Sequence, residues 1–194
     1  MRQKDDKKIE QIFKSTLELV EKSGLSGVTM CDISKEAGIA TGTLYIYFKN
    51  KEELINELFS VCRKQSAGFY FKNLDEKDEF KEAFRTIFFN IIHYRLSHFK
   101  ESVFLEQYFH SPYVNDKKRQ ESSRQLQPFF QLLDNGKAQG IIKQGDNLIF
   151  LWFMIGSINE VIRGSHYRKR TLSQEDIQLL FAMFWEGMKN HAPN

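Results

Sequence analysis

Apolar residues recur at helical spacing along most of the chain. Ile9, Ile12, Phe13, Leu17 and Val20 form the first stripe, at intervals of three and four, and Gly24 follows as a C-terminal stop. Thr29-Met30-Cys31-Asp32 reads as a capping box, in which the threonine hydroxyl accepts from an amide one turn in and the aspartate reaches back. The helix it opens is short, because Ala37-Gly38 interrupts it. A third helix begins near Thr41 with Leu44, Tyr45, Tyr47 and Phe48. Asn50-Lys51-Glu52-Glu53 is a second box, ahead of a longer helix with Leu54, Ile55, Leu58, Phe59 and Cys62 on its apolar side. Further helices are predicted over residues 80–96, with Phe84, Ile87, Phe88, Ile91 and Ile92 on one face, and over 103–109, ended by Ser111-Pro112. Residues 119–139 form another, with a kink at Pro128. Gly140 and Gly145-Asp146 mark a turn. Residues 147–163 and 173–189 close the chain, the last helix opened by Ser173-Gln174-Glu175-Asp176. No alternating strand pattern occurs, so the expectation is an all-α chain of about nine helices.

Composition adds a division. Of 18 Phe, 3 lie in residues 1–60 and 15 beyond them, which points to a small N-terminal module and a larger, aromatic-rich helical domain; the boundary is set at 54/55. The mean hydropathy of -0.47 argues against a membrane protein, and the most apolar run, from Leu148 to Ile158, is far short of the roughly 20 residues of a membrane span. The opening Met1-Arg2-Gln3-Lys4-Asp5-Asp6 has no apolar core of a secretory signal. Cys31 and Cys62 have no CxxC or Cys/His spacing, so two reduced thiols in a cytoplasmic protein are expected. His93, His98 and His110 are five and twelve apart, which puts no pair on one helical face, and no metal site or other cofactor is expected. With no Glu-x-x-His pair and no nucleophile beside a base, an enzyme is not expected either.

The informative stretch is TMCDISKEAGIATGTLYIYFKNK, residues 29–51. A helix-turn-helix needs a small residue at the end of its first helix, a turn that admits positive φ and apolar residues on both helices. Ala37 and Gly38 meet the first two needs, and Ile33, Ile39, Leu44 and Phe48 the third. Thr41, Gly42, Thr43, Tyr45 and Tyr47 remain outward, followed by Lys49 and Lys51, a chemistry suited to reading a DNA groove. Charge does not argue the case. Residues 1–54 carry nine basic and nine acidic side chains, and on spacing alone Tyr45 and Tyr47 could equally be packing residues.

Residues 9–54 resemble the N-terminal domain of the TetR family of bacterial transcriptional regulators, through Thr29, Asp32, Ile33, Ala37 and Gly38, then Gly42-Thr43-Leu44-Tyr45 and Tyr47-Phe48-Lys49-Asn50-Lys51-Glu52. The resemblance implies a three-helix DNA-binding domain over 1–54 and a helical effector-binding and dimerisation domain over 55–194. It also implies phosphate contacts from Thr29, Tyr47 and Lys51, and base or phosphate contacts from Thr41, Gly42, Thr43 and Tyr45. Ala40 stands where the family often has serine, so that hydroxyl contact is lost.

For the larger domain the resemblance implies a homodimer joined through the last two helices, for which Leu151, Ile155, Ile158, Phe181, Phe184, Trp185 and Met188 are the candidates, with an internal core as the alternative. Phe88, Phe104, Tyr108, Phe130 and Trp152 are candidates for lining a cavity, or are simply core. The function expected is a homodimeric repressor that binds a palindromic double-stranded DNA operator and is released by a small apolar or aromatic effector. An activator of the same family and a helical interaction protein without operator binding are the alternatives.

Overall fold

Local chemistry starts several of the helices. In the computed structural model, which describes residues 6–75 and 78–191, Thr29 and Ser173 each close a full capping box: the hydroxyl accepts from the amide of Asp32 or Asp176, and that aspartate accepts from the capping residue's own N–H. Asn50 caps the amide of Glu53 at 2.8 Å, but the Glu53 carboxylate reaches past it to the N–H of Lys49, at 2.6 Å. The charged residues 1–5 lie outside the described residues.

Among the described residues there are ten helices: α1 (Asp6–Gly27), α2 (Met30–Glu36), α3 (Thr41–Tyr47), α4 (Lys51–Tyr70), α5 (Phe80–Ser97), α6 (Phe99–Phe109), α7 (Asp116–Gln125), α8 (Gln127–Ala138), α9 (Asn147–Tyr167) and α10 (Gln174–Met188). The all-α expectation stands, and the extra helix comes from Pro128. Instead of kinking one helix over 119–139, it sits in the first turn of α8, where its missing N–H costs nothing, and α7 stops before it. Gly24 breaks α1 as expected of a stop (φ 75°), but a last turn continues to Gly27.

The chain forms two compact units. The first comprises residues 1–65 and 98–123, the second 66–97 and 124–194. The boundary expected at 54/55 falls inside α4, and α6 packs with the N-terminal helices in the first unit. That unit's core gathers Ile12, Val20, Ile33, Leu44, Phe48, Leu54, Ile55, Phe59, Phe104 and Tyr108, all fully buried. In the second unit Phe84 is the hub, with the rings of Phe80, Phe88, Phe129, Phe181, Phe184 and Trp185 5.6–6.4 Å from its own. Gly136 is required there because a β-carbon would overlap the Phe80 ring. Buried Arg95 donates to Asn159 on α9.

Burial pushes the Cys62 thiol up to about 12 from 9.0, with help from the negative charge of Glu101. It also pushes the Tyr108 phenol up to about 12 from 10.0, Glu121 and Glu52 adding to the effect. Both groups therefore keep in the folded state a proton that the unfolded chain has already released. The stabilisation is intact below the unfolded values and is lost as pH rises toward 12. Melting temperature is expected to fall across that alkaline window, and Cys62→Ala and Tyr108→Phe should each make the fall shallower than in the wild-type protein. Parallel pH profiles for all three proteins would count against this assignment.

Candidate nucleic-acid interface

The helix-turn-helix is held from three sides. The Gln11 side chain of α1 donates to the carbonyl of Ala37 at 2.6 Å, pinning the end of α2. Gly38 makes the turn with φ 62°, a left-handed conformation that a side chain would strain. The hydroxyls of Ser34 and Thr41 meet at 2.8 Å and bridge α2 to the start of α3. Leu44 and Phe48 anchor α3, Phe48 lying 5.7 Å from the ring of Phe13.

This anchoring sorts the expected contact residues. Gly42 and Tyr45 are exposed on α3, and Lys49 is exposed just beyond it. Thr29 is exposed as well, but its hydroxyl donates to Asp32 at 2.6 Å within the cap, and this bond holds the Asp32 carboxyl below its ordinary range. Thr41, Thr43, Tyr47 and Lys51 are half-buried; the Tyr47 ring packs on the core. One residue goes unnoticed in the sequence. Ile46 is 71% exposed, the most of any large hydrophobic residue described. An apolar residue on a helix is counted to the core by default, yet two positions past the buried Leu44 is roughly the opposite face of a helix with 3.6 residues per turn.

Lys51 is anchored inside the first unit. Its ammonium donates to the carbonyl of Leu25 at 2.9 Å and lies 5.6 Å from the centre of the Tyr113 ring. The N–H of Leu25 donates to the Gln107 side chain of α6 at 2.7 Å. The Gly24 break thus frees the N–H and the carbonyl of Leu25, which α6 and α4 take up respectively. Behind it, the Tyr108 hydroxyl donates to Asn56 at 2.6 Å and its ring stacks on Phe59 at 4.0 Å.

The residues expected to line a cavity are not gathered. Phe104 and Tyr108 belong to the core of the first unit; Phe88, Phe130 and Trp152 belong to the second. Phe88 is core, Phe130 is half-buried and Trp152 is 65% exposed. An open groove in the first unit, of about 570 Å³, is lined by Ile9, Phe13, Glu57, Val61 and Lys118 among others and contains none of the five.

The residues expected at a dimer interface divide by burial. Ile158, Phe181, Phe184 and Met188 are buried within the unit, Phe181 and Phe184 beside the α5 aromatics; Leu151, Ile155 and Trp185 are half-buried. The apolar surface that α9 and α10 leave outside is a different one: Ile149, Trp152, Phe153, Leu179 and Met183, each well over half exposed. By length and composition α9 could cross a membrane, and only 17% of its most apolar window is buried. Among the described residues no three His, Cys, Asp or Glu side chains cluster as metal ligands would.

Residues 12–58 match the family model described as bacterial regulatory proteins, tetR family, and residues 79–189 match the one described as tetracyclin repressor-like, C-terminal domain. An uncharacterised HTH-type transcriptional regulator of Haemophilus influenzae is 37% identical over 91 residues, 47% of this chain and 49% of that protein. The fatty acid metabolism regulator protein of Bacillus subtilis is 27% identical over 190 residues, 93% of this chain and 96% of that protein. The crystal structure of a TetR family transcription regulator from Marinobacter aquaeolei VT8 superposes with a TM-score of 0.88 at 24% identity, covering 98% of this chain and 100% of that one.

Proposed function

Because the chain belongs to the TetR family of bacterial transcriptional regulators, we propose that it is a cytoplasmic, homodimeric repressor that binds a palindromic operator and lets go when an apolar or aromatic effector occupies its helical domain. DNA binding and transcription regulation come with the family. The finer reading is carried by one observation: Gln11 holds the end of α2, and the Gly38 turn and the Ser34–Thr41 bridge set α3 against it, so that Gly42, Tyr45 and Ile46 face outward with Lys49 behind them. A rigid helix with that face suits a major groove, and the lysines flanking it suit phosphates.

The dimer is supported by the apolar face of α9 and α10. A second copy covering it as a two-fold pair would set the two recognition helices about 34–36 Å apart, one turn of DNA. The effector class is supported by the phenylalanine-rich second unit and by the full-length likeness to a regulator named for fatty acid metabolism. An effector can act only by preferring one spacing of the two heads over the other.

Selection from random duplexes with the full-length protein should yield a palindrome whose affinity falls steeply with added salt, through counterion release. Lys49→Ala, which removes one phosphate contact from each half-site, is expected to weaken that complex at least tenfold and to lower its salt slope by about two. Tyr47→Ala and Lys51→Ala should weaken it too. Lys51→Ala should also lower the melting temperature, since the Leu25 carbonyl loses its donor. Unchanged affinity and salt slope in all three variants would remove these residues from the DNA contact.

A further inference from the structure

Two features of α3 have no explanation in the fold. The first is Gly42. It has no positive φ, and a β-carbon placed on it meets nothing within 4 Å, so neither backbone conformation nor packing requires a glycine. A helical glycine is less stable than alanine, by roughly 0.5–1 kcal/mol in a helix interior and by less in the first turn, where Gly42 stands. The second is Ile46, 71% exposed and without a place in either hydrophobic core. The two residues are four apart, so they lie one above the other on the face opposite buried Leu44. A helical side chain leans toward the N-terminus, which brings the isoleucine over the surface that the glycine leaves bare.

We propose that Ile46 reads the 5-methyl group of a thymine in the major groove, and that Gly42 keeps the helix surface low enough for that contact to close. This rests on α3 being the groove-reading helix. The chemistry is specific. Of the groups the four bases present in the major groove, the thymine methyl is the apolar one, and an aliphatic side chain can satisfy it while every hydrogen-bonding edge would be left without a partner. Tyr45, exposed on the same helix, has a hydroxyl for a polar neighbour; Ile46 has only carbon to offer. Fold stability alone would favour alanine at 42 and a polar residue at 46. The pair therefore exchanges local stability for a shallow apolar step on the recognition surface, continuous with the lysine that follows α3.

The test removes one methyl group from the DNA. Starting from the palindrome selected by the full-length protein, each thymine is replaced in turn by deoxyuridine, symmetrically in both half-sites, and affinity is measured by fluorescence anisotropy. One symmetric pair should weaken binding about fourfold per half-site, the value of one buried methyl. Ile46→Ala, whose melting temperature should match the wild type, should bind the thymine and deoxyuridine duplexes equally. Gly42→Ala should raise the melting temperature yet lower affinity about tenfold, as an added methyl does in a tight contact. The proposal is overturned if no deoxyuridine substitution weakens binding, or if Ile46→Ala keeps the wild-type penalty. Failure to select any preferred duplex would instead overturn the operator-binding reading itself, and this proposal with it.

Discussion

The double variant Trp152→Glu, Met183→Glu is expected to be monomeric at concentrations where the wild-type protein is a dimer, and to bind the palindromic operator at least a hundredfold more weakly. Trp152 and Met183 are 65% and 64% exposed on adjacent helices of one unit, so glutamate is tolerated there in a single copy. In a two-fold interface each substitution appears twice. The interface would lose about 150–250 Å² of buried surface per tryptophan and acquire four carboxylates in place of apolar side chains, whose desolvation opposes association. The DNA consequence follows from linkage. Two heads on one dimer gain effective concentration, typically 10²–10⁴ in affinity, and separated heads lose it. Sedimentation velocity and anisotropy titrations give both readouts, and a variant that stays dimeric would move the interface away from this face. The same face on a helix long enough to span a bilayer raises the alternative of lipid. Wild-type protein is expected to stay at the bottom of a flotation gradient with phosphatidylcholine vesicles if the proposed two-fold partner, and not lipid, covers Trp152.

Phe84→Ala should be the most damaging single core substitution, at about 3–5 kcal/mol, the usual range for removing a buried phenylalanine. Six aromatic rings lie within 6.4 Å of Phe84, and α10 contributes three of them, so the void could close only by moving α10 off α5. Chemical denaturation monitored by circular dichroism measures the loss. Phe130→Ala, at a half-buried position on α8, should cost much less. If Phe84→Ala cost under about 1 kcal/mol, the cluster would be a loosely filled effector site instead of a solid core. The variant also separates the two units, since the core around Phe48 and Leu44 contains none of these rings.

The parts legible in the sequence share a short range. A capping box needs residues three apart, and those at Thr29 and Ser173 form as their spacing predicts. The turn at Ala37-Gly38 and the inward Ile33, Leu44 and Phe48 follow from glycine's conformational freedom and a single helical period. Proline was legible only in part. Pro128 marked a disturbance, but whether a helix bends at a proline or restarts there depends on whether the preceding turn has other packing to hold it, and here it restarts.

Other features escape because more than one arrangement satisfies the same pattern. On α9 and α10 nearly every face is apolar, so periodicity offers no way to tell inside from outside. Phe181 and Phe184 suit a partner helix by their pattern alone, and in the fold they lie against Phe84 and Phe88 of α5. The Gln107–Leu25 bond joins residues 82 apart and brings α6 into the unit that holds the helix-turn-helix; an unremarkable glutamine gives no hint of it.

The sequence by itself determined the helical class, the helix starts, the helix-turn-helix and the family, because these depend on backbone amides, turns and side chains within one or two helical turns of each other. Only the tertiary structure decided which apolar face of α9 and α10 is left bare, that Lys51 is tethered to Leu25, and that Ile46 points away from the core. Each of these depends on which surface another helix covers first, and burial is a property of the packed pair, not of either helix alone.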